Sequence, residues 1–236
     1  DQGYVINGEK FYCTGSLFAH RIPTLVVDEQ DQQFLAFVPR DNEGLTLIDD
    51  WSGFGQRTTG SGTVKFNSVQ VLEEDVVRFD TAYSQPTISG PFAQLMHASI
   101  ETGIARAAFE ETLNRVRLAR PWIDSGVDKA TDDPLTLFEL GRIVADVRAS
   151  EVLLKQAARS IDAAKPAPTA ENVAKASLDV AKVRAHSSET ALKASSKLIE
   201  LAGSRGSQRE DGLDRFWRNA RVHTLHDASR WKYYFI

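Results

Sequence analysis

The stretch that decides the fold is residues 170–202, AENVAKASLDVAKVRAHSSETALKASSKLIELA. It contains neither Pro nor Gly, and alanine, the strongest helix former, is its commonest residue. Thr169 before it is a typical N-cap residue, and Gly203 after it is a typical C-cap residue. The stretch therefore predicts one long helix. Its small side chains favour close packing against other helices, either in the same bundle or in another subunit.

Three more helical patterns accompany this helix. They cover about residues 92–119, 135–164 and 213–234, and in the second of them apolar residues recur with a period near 3.6 residues. Four long helices in one half of a chain predict an antiparallel bundle.

The first half of the chain has a different composition. Residues 1–90 hold 9 of the 15 glycines and only 3 alanines, whereas residues 91–236 hold 24 alanines. Asn7-Gly8 predicts a tight hairpin. Runs rich in β-branched and aromatic residues occur at residues 4–13, 24–27, 33–38, 45–48 and 63–71. We therefore expect an α+β protein, with a small antiparallel β-barrel or sandwich in residues 1–85 and the helical bundle in residues 86–236.

Composition also narrows the class of protein. A balance of 28 basic against 32 acidic residues leaves no basic excess for nucleic acid. No apolar run reaches the roughly 18 residues that a membrane helix needs. The single Cys13 excludes an internal disulfide, and no Cys/His spacing fits a metal site, so we expect a metal-free protein of the reducing cytoplasm. The chain opens without Met in what reads as a strand, so we expect it to be the later part of a longer protein.

Two segments of the β-rich half are candidates for binding a planar ligand. Thr14 and Ser16 flank a glycine just after a predicted strand, where hydroxyls and close backbone approach suit a ligand; a polar turn is the alternative. The glycine-rich segment after Trp51 includes Phe54 and Arg57 and lacks the Gly-Lys-Ser/Thr of a phosphate-binding P-loop. It predicts either a long hairpin loop or an aromatic wall of a ligand pocket.

Two basic segments of the helical half are candidate anion sites. One is a glycine-containing loop between two predicted helices, formed by Ser204, Arg205, Gly206 and Ser207, with Arg209 just beyond it. A helix C-cap is the alternative interpretation of its glycines. The other lies at a predicted helix end and comprises Arg115, Arg117, Arg120 and Trp122. Cations at a helix C-terminus also suit the helix dipole, so a solvated surface is the alternative there.

The last helical pattern carries His223, His226 and Asp227. Two histidines three residues apart share a face of a helix, and an imidazole beside a carboxylate can titrate near neutral pH. A metal site would need a third ligand, so proton transfer or hydrogen bonding to a reaction intermediate is better motivated. These three residues are therefore the candidate catalytic residues.

In this order, the motifs resemble the middle β-domain and the C-terminal four-helix domain of the acyl-CoA dehydrogenase superfamily. Residues 7–15 are similar to the stretch whose threonine contacts the flavin ring, and Thr14 occupies that position. Residues 203–207 fall at the family's glycine-rich loop, and residues 213–221 resemble its Glu-Arg-x-Tyr-Arg-Asp-Ala-Arg helix. Arg120 falls where the family has an arginine that reaches a neighbouring subunit's flavin. The resemblance implies an acyl-CoA dehydrogenase-like fold whose N-terminal helical domain would precede this chain.

One position departs from the dehydrogenase pattern. Many members carry Tyr-Glu-Gly where this chain has His226-Asp227-Ala228, and the glutamate is the base that removes the substrate's alpha proton. Because Asp is one methylene shorter, it would sit too far from the substrate for efficient proton transfer. The surrounding run and Arg120-Pro121-Trp122 resemble instead the branch that contains dibenzothiophene monooxygenase and the SfnB-type sulfur-acquisition oxidoreductases.

This branch implies a flavin-dependent monooxygenase that uses oxygen and reduced FMN, supplied by a separate flavin reductase, on a small or aromatic organosulfur compound. It also implies a homo-oligomer, a dimer or tetramer. His226 would stabilise an oxygen adduct, and Trp51 or Phe54 would bound an apolar pocket. The cofactor-binding residues by this resemblance are Thr14, Ser16, Trp51, Arg120, Trp122, Ser204, Arg205, Gly206 and Ser207.

Two alternatives stay open from the sequence. The first is an FAD-dependent acyl-CoA dehydrogenase whose base comes from Glu101, because some family members carry the base on the first helix of this domain. The second is a helical assembly module that keeps the fold without catalysis.

Overall fold

The computed structural model describes residues 3–236 and divides into two units. The first unit is the chain up to Gly53 together with Arg57–Gln85, and the second is Phe54–Gln56 with Pro86–Ile236. The first is built of short antiparallel strands and the second of long helices, so the predicted α+β class is confirmed.

The first unit contains two three-stranded antiparallel sheets. Their strands are β1 (Gly3–Lys10), β2 (Arg21–Val27), β3 (Gln33–Pro39), β4 (Leu45–Ile48), β5 (Thr63–Leu72) and β6 (Val76–Arg78), and a short helix, α1 (Phe79–Ala82), follows. One sheet has the order β1-β5-β4 and the other β2-β3-β6. Alternate side chains of these strands form one apolar core, which includes Ile6, Val38, Val64, Phe66 and Val69.

The predicted hairpin at Asn7-Gly8 is wrong. The chain runs through both residues as the single strand β1, which pairs along its length with β5, and the register shifts between Ile6 and Gly8. The Asn7 side chain accepts a hydrogen bond from the backbone N–H of Ser68 at 2.8 Å. Asn-Gly therefore forms a bulge against a strand some sixty residues away, and this pairing outweighs the local turn preference.

The second unit is a helical bundle. Its helices are α2 (Ser89–Leu118), α3 (Pro134–Ala164), α4 (Ala170–Leu201), α5 (Asp214–His223) and α6 (Arg230–Phe235). The first three confirm the predicted long helices to within a few residues. Their ends follow local chemistry: Asp133 caps α3 ahead of Pro134, and Thr169 forms a capping box with Asn172 at the start of α4.

The predicted last helix, residues 213–234, is wrong as a continuous element. The helix α5 ends at His223, a turn follows, and α6 begins at Arg230. In the turn, Asp227 adopts a left-handed backbone conformation with φ of 49°, and the Arg184 guanidinium donates to the backbone oxygen of His226 at 2.9 Å. A side chain from α4 thus takes a carbonyl that a continuous helix would have used.

Small side chains fill the core of the helical unit. Alanines of α2 and α4 are fully or nearly fully buried, including Ala98, Ala105, Ala108, Ala191 and Ala194. They let the helix backbones approach closely, as the sequence of α4 predicted. In the described part of the chain, no helix combines the length and the apolar character needed to cross a membrane.

Candidate functional site

A fully buried ion pair lies in the interior of the helical unit. Glu101 on α2 and Arg184 on α4 both have no exposed surface, and their carboxylate and guanidinium are in direct contact. Ser187 and Ser188, one turn further along α4, donate to the second carboxylate oxygen at 3.1 and 2.7 Å. Burying two charges is tolerated only when both are paired and hydrogen-bonded. The carboxylate and the terminal guanidinium nitrogens meet that condition, whereas Nε of Arg184 has no partner among the described residues.

Three histidines adjoin this ion pair, and we call them the imidazole cluster: His97 on α2, His223 at the end of α5 and His226 in the turn after it. Nδ1 of His223 lies 3.1 Å from Oε1 of Glu101, and Nε2 of His223 lies 3.2 Å from Nδ1 of His97. The His97 ring stacks on the His226 ring with centroids 4.1 Å apart. Glu101 is buried, His223 and His97 are half-buried, and His226 is exposed.

Arg184 links the interior to the exposed end of the cluster. Its guanidinium contacts Glu101 and Ser188 and also donates to the backbone oxygen of His226. The same side chain therefore neutralises the buried carboxylate and fixes the turn that carries His226.

The electrostatic environment keeps the imidazoles of His97 and His226 neutral. Burial, the neighbouring imidazoles and the Arg184 charge together lower the pKa of His97 to about 4. Burial, His223 and Arg184 also lower the pKa of His226. Burial raises the pKa of Glu101, but hydrogen bonds from His223 and Arg184 outweigh it and hold that pKa below the usual range. At neutral pH the cluster thus joins an ionised Glu101 to a neutral His97 and a neutral His226.

Asp227, predicted with the two histidines as catalytic, is bound to another side chain. Its carboxylate accepts from Nζ of Lys232 on α6 at 2.9 Å. Burial raises the pKa of Asp227, but the bond to Lys232 outweighs it and keeps the carboxylate ionised. His223 and His226 come together through His97, whereas Asp227 belongs to a separate surface ion pair.

In the first unit, Thr14 and Ser16 lie on a tight turn after β1. Thr14 Oγ1 is 2.7 Å from Oγ of Ser61, and Gly15 takes a φ of 90° that favours glycine. Ser16 is buried, and within residues 3–236 its hydroxyl has no hydrogen-bond partner. Both residues line a cleft of about 330 Å³ together with Cys13.

The predicted aromatic wall divides between the two units. Trp51 packs edge-to-face on Tyr12, with centroids 6.0 Å apart, and lines a cleft of about 370 Å³ in the first unit. Phe54 instead belongs to the second unit, where it stacks on Trp217 of α5. A Cβ on Gly55 would lie 2.0 Å from the backbone oxygen of Arg218, so this glycine permits the close contact with α5. Trp51 and Phe54 therefore do not form one wall within either unit.

Some residues of the predicted phosphate-binding segments have identifiable structural roles. Gly203, with a φ of 70°, ends α4, and Gly206 is buried where a Cβ would meet that of Ala202 at 2.6 Å. Arg115 is bound to Glu111 and to Asp211, each at 2.7 Å. The remaining predicted residues of these segments are exposed: Arg117, Arg120, Trp122, Ser204, Arg205, Ser207 and Arg209.

Sequence reasoning missed His97 and Arg184. Both lie on long helices outside any recognised motif, and their partners are on other helices. The available signal was spacing: His97 and Glu101 are four residues apart on α2, as are Arg184 and Ser188 on α4. Charged residues on an otherwise apolar helix face indicate a buried polar cluster.

Comparison with known proteins places this geometry in a family. A family model described as acyl-CoA dehydrogenase, C-terminal domain, matches residues 95–231. Dibenzothiophene monooxygenase of Rhodococcus erythropolis is 33% identical over 98% of this chain and 60% of its own length. The probable FMNH2-dependent monooxygenase SfnC of Pseudomonas putida is 31% identical over 94% of this chain and 58% of its own length.

A solved structure agrees with these relatives. The FMN-bound structure of TdsC from Paenibacillus sp. A11-2 superposes with a TM-score of 0.92 at 31% identity, over 99% of this chain and 62% of that one. The chain spans about 60% of the length of the relatives that it matches. With the family model covering more than half of its residues, this chain belongs to the acyl-CoA dehydrogenase C-terminal domain family.

Proposed function

We propose that this chain is the flavin- and substrate-binding part of a monooxygenase that uses reduced FMN and oxygen on a small or aromatic organosulfur compound. One observation carries the proposal: neutral imidazoles, backed by a buried ion pair, lie beside Asp227, the position at which the resemblance to the dehydrogenases implies their carboxylate base. The relatives named as dibenzothiophene and FMNH2-dependent monooxygenases support it.

The two carboxylates that could replace the dehydrogenase base are both engaged. Glu101 has no exposed surface and is bound to Arg184, Ser188 and His223, so the alternative in which it removes a substrate proton is not supported. Asp227 is bound to Lys232. Proton removal by a carboxylate needs an accessible oxygen near the reacting carbon. Glu101 has no exposed surface, and the exposed Asp227 carboxylate is neutralised by Lys232.

The residues of the first unit suit a flavin. Among the described residues, the buried Ser16 hydroxyl has no hydrogen-bond partner. Such a hydroxyl gains a hydrogen bond when a ligand supplies an acceptor or donor. Thr14 beside it offers a second hydroxyl, and Trp51 offers an apolar surface at a neighbouring cleft. When bound, reduced FMN supplies the electrons that activate oxygen.

We assign the following roles to the chain's own residues. Thr14 and Ser16 bind the edge of the flavin ring, and Trp51 excludes water from the substrate. His226 hydrogen-bonds to oxygen at the reacting centre, and His223 orients it through His97. The phosphate of FMN is proposed to bind Arg120, Trp122, Ser204, Arg205, Gly206 and Ser207.

Three further features belong to the same proposal. We propose a domain boundary at residues 85 and 86, a homo-oligomer that completes the flavin site, and a separate reductase that supplies reduced FMN. Location in the cytoplasm, where such a reductase and reduced flavin would be available, completes the proposal.

Anaerobic mixing tests the function directly. The purified protein is mixed with photoreduced FMN and then with isotope-labelled oxygen and either dibenzothiophene or an alkanesulfinate. We expect one labelled oxygen atom in the product, measured by mass spectrometry. Tight retention of FAD that an acyl-CoA reduces would favour the dehydrogenase instead, and no flavin binding in either redox state would favour the assembly module.

A further inference from the structure

The buried ion pair and two of the histidines form a continuous line of hydrogen-bonding atoms. It runs from Oε1 of Glu101 to Nδ1 of His223 at 3.1 Å, and from Nε2 of His223 to Nδ1 of His97 at 3.2 Å. Both nitrogens of His223 are thus engaged, one toward the interior and one toward His97. This arrangement does more than orient the His223 ring, because it connects the His97 imidazole to the buried negative charge of Glu101.

The chemistry of the groups limits where the hydrogens of this line can lie. An ionised carboxylate only accepts, so the hydrogen between Glu101 and His223 lies on Nδ1 of His223. In the resting arrangement of the line, Nε2 of His223 accepts and Nδ1 of His97 carries the hydrogen that lies between the two rings. A neutral His97 therefore has a bare Nε2, which is a free base on the outermost ring of the line.

We propose that His97, His223 and Glu101 form a proton relay in which a proton taken up at Nε2 of His97 places its positive charge on His223. As that proton binds, the hydrogen on Nδ1 of His97 passes to Nε2 of His223. His97 is then neutral again, with its hydrogen on Nε2, and His223 carries hydrogens on both nitrogens. One proton enters, no electron moves, and the reverse sequence releases it.

The positive charge is more stable on His223 than on His97. Of the two imidazoles, His223 is the one that contacts the Glu101 carboxylate, and a hydrogen bond to a carboxylate favours the charged imidazole. His97 faces Arg184 on α4, His223 on α5 and His226 in the following turn, with Glu101 on its own helix. Three of these four groups disfavour a charge on His97. Lys232 and Asp227 neutralise each other further out.

The role of the relay in catalysis rests on the proposed function. Oxygenation gives one oxygen atom to the substrate and returns the other as water, so protons must move at the reacting centre. His97 stacks directly on His226, and the relay stores a proton there without leaving a charged ring against the oxygen-binding imidazole. Glu101 and Arg184 act as positioning residues, since neither is exposed to a ligand.

NMR of the protein with ¹⁵N-labelled histidine, without added flavin, tests the relay. The ring nitrogens are assigned with His97→Gln, His223→Gln and His226→Gln variants and followed from pH 8 to the acid limit of the folded state. We expect His97 to hold its hydrogen on Nδ1 at pH 8 and to exchange it for one on Nε2 as His223 becomes doubly protonated. A His97 that becomes doubly protonated before His223, a bare Nδ1 at pH 8, or no exchange before unfolding would each overturn the relay.

A variant pair separates the relay from a structural role. Glu101→Gln keeps the shape and removes the charge, so His97 should lose its single tautomer and show a mixture of both. Asp179→Asn removes a carboxylate of α4 outside the relay and should leave the His97 signals unchanged. If Glu101→Gln does not fold, the wild-type titration alone decides. A failed titration leaves the oxygenation assay unaffected, so the relay and the proposed function fail separately.

Discussion

Two acidic clusters of the helical unit use similar residues in different environments. Glu101 is fully buried against Arg184, whereas Asp179, on the same helix as Arg184, accepts from Ser160, Lys175 and Lys182 near the surface. The lysines of the second cluster keep about half or more of their side chains exposed. The interior cluster connects three helices and the imidazole cluster, and the surface cluster connects only α3 and α4.

The difference shows how burial changes what an ion pair contributes to a protein. A surface pair contributes about 0–1 kcal/mol, because water screens it and its side chains lose entropy. A buried pair stabilises a protein little more than apolar side chains of the same size would, yet removing one partner leaves a buried charge unpaired. The buried ion pair is thus explained by what it connects, the backbone of His226 and the ring of His223, rather than by stability alone.

The largest effect should come from breaking the interior pair. Glu101→Ala leaves the Arg184 guanidinium buried without its carboxylate and should lower the free energy of unfolding by about 3–5 kcal/mol. Urea unfolding followed by circular dichroism measures it. A loss comparable to that of a surface variant would show that water or a rearranged partner compensates the charge.

His97 should impose a pH dependence on stability. Its folded pKa is about 4, below the usual 6.5, so folding opposes proton binding and stability falls as pH drops from 6.5 toward 4. His97→Gln should remove about 1–2 kcal/mol of the difference between unfolding free energies at pH 7 and pH 4.5, since partial exposure reduces the full effect. An unchanged difference would contradict the depressed pKa.

Asp179 should stabilise the fold through its charge, in a pH range below that of His97. Burial raises its pKa, but hydrogen bonds from Ser160, Lys175 and Lys182 outweigh it and lower the pKa to about 2. Its stabilisation is therefore present above pH 3.8 and is lost as pH falls through about 2. Asp179→Asn should cost about 1 kcal/mol at pH 7 and nothing near pH 2, measured by urea unfolding at both pH values. An equal loss at both would indicate packing rather than charge.

The smallest effect belongs to a single exposed lysine. Lys175→Ala removes one partner of Asp179 and leaves Lys182 in place, so the unfolding free energy should fall by only about 0.3–0.5 kcal/mol. High salt should erase that difference between wild type and variant. A persistent loss above 1 kcal/mol would mean that the two clusters differ less than their exposure suggests.

The sequence predicts what depends on neighbours along the chain. The Thr169 cap, the proline at position 134 and the alanine-rich stretch of α4 act within one or two turns, and the long helices were predicted almost to their ends. Local signals failed where a distant partner overrides them. Asn7-Gly8 pairs with β5, and the turn at His226 depends on Arg184.

The candidate site was predictable only in part for the same reason. His223 and His226 stood out because they are close in sequence and beside a recognised motif. His97 and Arg184 contribute as much to the cluster, but His97 meets His223, and Arg184 meets the His226 backbone, across more than forty residues of chain. Packing of α2, α4 and α5 creates that set, and periodicity alone does not reveal which buried residues share it.

The coupling of oxygen use to product in His226→Ala tests the central claim most directly. With reduced FMN, oxygen and an organosulfur substrate, the ratio of hydrogen peroxide to oxygenated product is measured for wild type and variant, with flavin binding as the control. Loss of the imidazole should leave flavin binding intact and raise that ratio at least about tenfold, the effect of losing roughly 1.4 kcal/mol of stabilisation at the reacting oxygen. An unchanged ratio with bound flavin would contradict the assignment of His226 to oxygen chemistry.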